Sequence, residues 1–112
     1  MRIRRPAAEH LWLEAADRGS VLLHLDVDAG AVHSRVMGVR GRRLKLQVQG
    51  GRGDDDEQAD RNLVRFLAHA LALATAQVTV VASSRRGRKT VRCAGVAKGR
   101  CLLALAPRRP VL

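Results

Sequence analysis

After Asp60 the 112-residue chain contains no aspartate or glutamate. All ten carboxylates fall in residues 1–60, where ten Lys or Arg balance them, and residues 61–112 carry the other eleven Lys or Arg unopposed. The formal net charge of +11, with an isoelectric point near 11.6, therefore arises entirely in the second half. A one-sided excess of this kind is the electrostatic footprint of a polyanion binder, although a solvated Arg-rich surface has the same composition.

Other scarcities narrow the chemistry. A nucleophile among Ser83, Ser84 and Thr90 needs a base within hydrogen-bond reach and an acid behind it. The second half has no acid, so a triad has to borrow Asp26 or Asp28, with His24 or His33, from the first half. His10, His24, His33 and His69 share no helical or strand spacing, which argues against zinc, and no metal or cofactor is expected. With one Trp, one Phe and no Tyr, Trp12 and Phe66 cannot build a base-stacking platform. The two cysteines, Cys93 and Cys101, are too far apart for a Cys-x-x-Cys pair, lack partners for a four-cysteine site, and read as free thiols. No apolar run approaches the roughly 18 residues of a membrane span, and "MRIRRPAAEHLW" lacks a signal-peptide core, which points to a cytoplasmic protein.

What is present supports folding. A hydrophobic content of 46% argues for a packed core of Leu, Val and Ala, and the length suits one domain over 1–112, with 1–10 and 106–112 as flexible ends. "VLLHLDV" (21–27) alternates with period two and predicts a half-buried strand, with a short partner strand around Leu11 to Leu13 and "DRGS" as the turn. "SRVMGV" and "RLKLQVQ" flank "RGR" and predict a hairpin turning near Gly41, with Leu44, Leu46 and Val48 inward. "GGRGDDDEQAD" (50–60) lacks both the Asp-x-Asp-x-Asp-Gly calcium spacing and the Gly-Lys-[Ser/Thr] phosphate-loop ending, and reads as a solvated loop leading into a helix. Leu63, Phe66, Leu67, Ala70 and Leu71 then form one apolar stripe, with Asp60 as N-cap and the helix ending near Leu73. "QVTVV" predicts a strand with Val78 and Val80 inward, and "KTVRCAGV" another with Val91 and Cys93 inward. "CLLALA" (101–106) stays open between strand and short helix, since Pro107 and Pro110 stop either. Strands, helix, strands is the order of an α+β domain with a sheet covered on one face.

"GRRLKLQVQ", the Gly-rich loop, "ADRNLVRFLAHALAL", "QVTVV" and "RKTVRCAG" together resemble the YggU-like family, a group of small proteins of unknown function. The resemblance covers about residues 20–96. Ala59 and Lys89 match family motif positions, and Asp60 stands where asparagine is usual. The family's double proline is absent, Gln58 replaces its loop lysine, Ser83 stands in a glycine position, and Arg86 and Gly87 replace its serine and arginine, so the chain reads as a divergent member. The resemblance implies a two-layer fold, a mixed sheet against helices, and no established activity.

"SSRRGRKTVR" (83–92) concentrates five cations around Gly87, which permits a tight bend with positive φ. Arg85, Arg86 and Arg88 are expected at the end of a hairpin, with Lys89 and Arg92 continuing along the strand. Guanidinium forks suit phosphate oxygens and carry little sequence preference. The expectation is a non-enzymatic domain binding RNA or DNA phosphates through Arg85, Arg86, Arg88, Lys89 and Arg92, with Arg42, Arg43 and Lys45 as a rival patch. An acidic protein partner is the alternative. An enzyme acting on a phosphorylated substrate comes third, favoured if Asp60 and Lys89 meet in one cleft.

Overall fold

The structure, a computed structural model, describes residues 10–50, 56–84 and 86–107. Arg85, most of the acidic loop and the outer parts of the two expected flexible ends lie outside these. Six strands and two helices follow in the order β1 (Leu13–Ala15), β2 (Ser20–Ala31), β3 (Arg35–Arg40), β4 (Arg43–Gln49), α1 (Asp56–Leu71), β5 (Val78–Ser83), β6 (Arg88–Ala94) and α2 (Lys98–Leu105). The sheet runs β3-β4-β2-β6-β5, with β1 also paired to β2. It is mixed because β2 and β4 are parallel while every other neighbouring pair is antiparallel. The expected α+β two-layer architecture is thus what forms, and 101–105 resolves as helix with Ala106 as its C-cap.

The long strand β2 organises the molecule. One of its edges takes β6 from Ser20 to Asp26, and the other takes β1 at Val21 to Leu23 and then β4 from Leu25 onward. Period-two alternation aims Val21, Leu23 and Leu25 into the core, alongside Leu44, Leu46 and Val48 of β4 and Val91 and Cys93 of β6. The turn between β1 and β2 closes with Ser20 N donating to Asp17 O, so the expected partner strand exists, shifted to Leu13–Ala15.

Helix α1 covers the sheet with Leu63, Leu67, Ala68 and Leu71, all buried, while Phe66 and Ala70 are half-buried at the stripe's margin. It begins at Asp56, so Asp60 is the fifth helical residue and not the N-cap. The acidic run supplies several equivalent caps, and residues 56–62 carry no apolar residue except Ala59 to mark the true start. The helix stops two residues before the expected Leu73. Ala72 turns left-handed at φ 55°, and Leu73 N reaches back to Ala68 O at 2.8 Å, the longer bond of a Schellman ending. Arg100 of α2 donates from Nε to Leu71 O at 3.0 Å, placing a cation on the negative end of α1. Cys101 and Leu105 bury the inner face of α2, and Trp12 is fully buried. Among the described residues no helix is long and apolar enough to cross a membrane.

Candidate nucleic-acid interface

The β3–β4 and β5–β6 turns of the sheet come to the same place. β4 starts beside Leu25 of β2, and β6 starts on the opposite edge beside Asp26, so the β3–β4 and β5–β6 turns flank one short stretch of β2. The first is a two-residue turn closed by the Arg40–Arg43 pair, with Gly41 at φ 61°. The second is fixed more tightly. Gly87 takes φ 80°, its carbonyl accepts from Val27 N at 2.8 Å, and a Cβ there would collide with the Val27 carbonyl oxygen. Only glycine lets this turn lie against β2.

Between the turns lies a cleft of about 310 Å³ lined by Arg40, Arg43, Arg86, Arg88 and Asp26. Among the described residues the lining sets four arginines against one carboxylate. Arg43 is held in place because its Nη1 donates to Leu25 O at 3.0 Å and to Lys89 O at 3.4 Å, spanning β2. Arg86 and Arg88 are exposed.

The other cations of the predicted site go elsewhere. Lys89 points into the core side of β6 with Val91 and Cys93, and its side chain is only 7% exposed. Its ammonium lies 3.0 Å from Asp60 Oδ1 and donates to Ser83 Oγ at 2.5 Å. Asp60 Oδ1 is itself shielded from solvent, and Lys89 approaches it as an ionic partner outside hydrogen-bond geometry. This takes Lys89 off the surface from which a polyanion would be reached. Arg92 lies four residues along β6, on the open face, and donates to Asp17 Oδ1 at 2.8 Å, which offsets its charge locally. Arg85 lies outside the described residues.

Asp60 and Lys89 do meet, joining α1 to β6, but they meet as a mostly buried pair. The hollow beside Asp60, about 340 Å³, is lined by Asp60, Arg61, Val64, Arg65 and Thr75 and does not include Lys89. Among the described residues this hollow offers Asp60 without Lys89.

Histidine 24 has a carboxylate behind it, though not the expected Asp26 or Asp28. Its Nε2 faces Glu14 Oε2 at 2.9 Å, and because a carboxylate only accepts, Nε2 carries the proton. In the neutral ring Nδ1 then accepts from Thr90 Oγ1 at 3.4 Å, too long to activate a nucleophile. The signal for Glu14 was present in the β1–β2 turn, since antiparallel pairing across it sets Glu14 opposite Leu22 and on the face of His24. Arg40 and the spanning role of Arg43 had no such signal, because both depend on which strands lie beside β2.

No family model matches the chain.

Proposed function

We propose that the cleft between the β3–β4 and β5–β6 turns binds the phosphate backbone of RNA or DNA. The observation that carries this is the convergence of Arg40, Arg43, Arg86 and Arg88 on one cleft whose only carboxylate among the described residues is Asp26. Guanidinium groups offer paired donors that match phosphate oxygens, and a site made of them holds the backbone without reading bases. The scarcity of aromatic side chains fits the same reading, since Trp12 is buried and Phe66 belongs to the margin of the α1 stripe. The binding set is therefore revised from the loop alone to both turns, with Arg86 and Arg88 retained and Lys89 assigned to the fold.

Within this proposal the chain is a divergent relative of the YggU-like proteins. Support comes from the contact between Asp60 and Lys89, which brings together two positions that the resemblance aligns with family motifs.

Fluorescence anisotropy with labelled single-stranded and duplex oligonucleotides of several sequences at low salt tests the function. Binding of comparable strength across sequences is expected, weakened by the same factor for all of them in R86S/R88S. Absence of binding to every oligonucleotide overturns the reading and leaves an acidic protein surface as the partner the cleft suits.

A further inference from the structure

A second cleft opens where β1 gives way to β4 along one edge of β2. β1 pairs only as far as Leu23, β4 begins at Leu25, and His24 falls between them with its N–H turned to Trp12 O at 2.7 Å. Two strands meeting end to end on one edge leave a gap, and here it has a volume of about 560 Å³, within the range of small-molecule sites.

The lining has two chemically distinct parts. Arg42, Arg43 and Lys98 bring three fixed cations from the β3–β4 turn and the start of α2. Among the described residues Glu14 is the one carboxylate of the lining, and it is engaged by His24 at 2.9 Å. Among the described lining residues three cations against one carboxylate leave two formal positive charges. A phosphomonoester, at about −1.5 to −2 near pH 7, cancels them, whereas a phosphodiester carries only one negative charge. Leu11 and Ala15 supply an apolar wall on the β1 side. The imidazole of His24, held at Nε2 by Glu14, adds a ring to the lining.

We infer that this gap binds a nucleotide-sized phosphomonoester, the phosphate against Arg42, Arg43 and Lys98 and the nucleoside along the Leu11 and Ala15 wall. The site goes beyond the backbone cleft, with which it shares Arg43 alone. Two sources carry this chemistry, a free mononucleotide and the phosphorylated end of a strand.

Backbone-amide NMR of the full chain titrated with AMP, adenosine or inorganic phosphate provides the test. AMP should shift the amides of His10 to Ala15, His24, Arg42 and Lys98 saturably, phosphate should shift the cationic subset, and adenosine neither. The variant R42S/K98S, which changes two exposed side chains, should weaken AMP by roughly tenfold or more. Lys98→Ser alone, which leaves both turns intact, should weaken AMP while its affinity for a long oligonucleotide with a 5′-hydroxyl stays unchanged, which separates this site from the backbone cleft. A 5′-phosphorylated oligonucleotide bound more tightly than its 5′-hydroxyl twin assigns strand ends as the ligand, and AMP bound as tightly as either assigns free nucleotide. No saturable shift with AMP or phosphate, or equal AMP affinity in R42S/K98S, overturns the inference.

Discussion

Arg88 and Lys89 are neighbours on β6 with opposite fates. Arg88 is exposed on the open face of the sheet, beside Asp26 and within reach of three more arginines. Lys89, one residue on, is buried beneath α1 and closed off by Asp60 and Ser83. The difference comes from the pleat, which sends successive side chains to opposite faces and so splits a run of cations between solvent and core. A charge count over "RGRKTVR" thus overstates the surface it makes. A buried ammonium needs its partner, whereas an exposed guanidinium is free for a ligand.

Substitution separates the two roles. The largest effect is expected for Lys89→Ala, which strands the Asp60 carboxylate. Breaking a buried pair costs about 3 to 5 kcal/mol, and the 31% exposure of the Asp60 side chain places this one at the lower end. Arg88→Ala should change stability by less than about 0.5 kcal/mol while weakening oligonucleotide binding. Urea denaturation and anisotropy on both variants check this. Equal stability losses would erase the distinction between the two faces.

Gly87→Ala attacks the element that holds the open side together. Its positive φ and the collision with the Val27 carbonyl predict a loss of about 1 to 3 kcal/mol. Because the turn can no longer lie against β2, oligonucleotide affinity should fall although no charge is removed. Unchanged affinity would mean that the placement of Arg86 and Arg88 is immaterial.

The smallest effect concerns the thiols, which share the core side with Lys89. Burial, with a further contribution from Cys101, pushes the Cys93 thiol from 9.0 up to about 12, and burial also raises Cys101, against the lowering effect of Arg100. The native state therefore holds the Cys93 proton after the unfolded chain has released it. The stabilisation this brings is complete below pH 9.0 and is lost as the pH climbs toward about 12. Alkylation near pH 8 should proceed only after unfolding, and rapid labelling of the native protein would show that the core face is open.

The alternations of β2, β4 and β6 and the stripe of α1 were legible because each has one buried face, and burial imposes the period. Register and neighbour order were not. Nothing in the spacing says that β4 runs parallel to β2, yet that pairing brings Arg40 and Arg43 to Arg86 and Arg88. The patch at Arg42, Arg43 and Lys45 was legible as a rival to the loop, and the fold makes Arg43 part of the same cleft. Asp60 was misread as the N-cap, because the acidic run gives no local mark of the helix start. Its meeting with Lys89, 29 positions away, was raised from the motif positions as a candidate shared cleft, and the fold makes it a mostly buried pair across the layers.

The central claim is that two turns make one phosphate site to which Lys89 does not belong, and the salt dependence of oligonucleotide binding tests it most directly. Each phosphate neutralised contributes a slope of about −0.7 on single strands and about −0.9 on duplex DNA in log affinity against log salt. Replacing Arg40, Arg86 and Arg88 together by Ser draws on both turns and leaves the strand-spanning Arg43 in place. The slope should flatten by about 2.1 on single strands or about 2.7 on duplex, with Arg40→Ser alone accounting for about a third of the change. A slope unmoved by Arg40→Ser would contradict the account, because the β3–β4 turn would then lie outside the site.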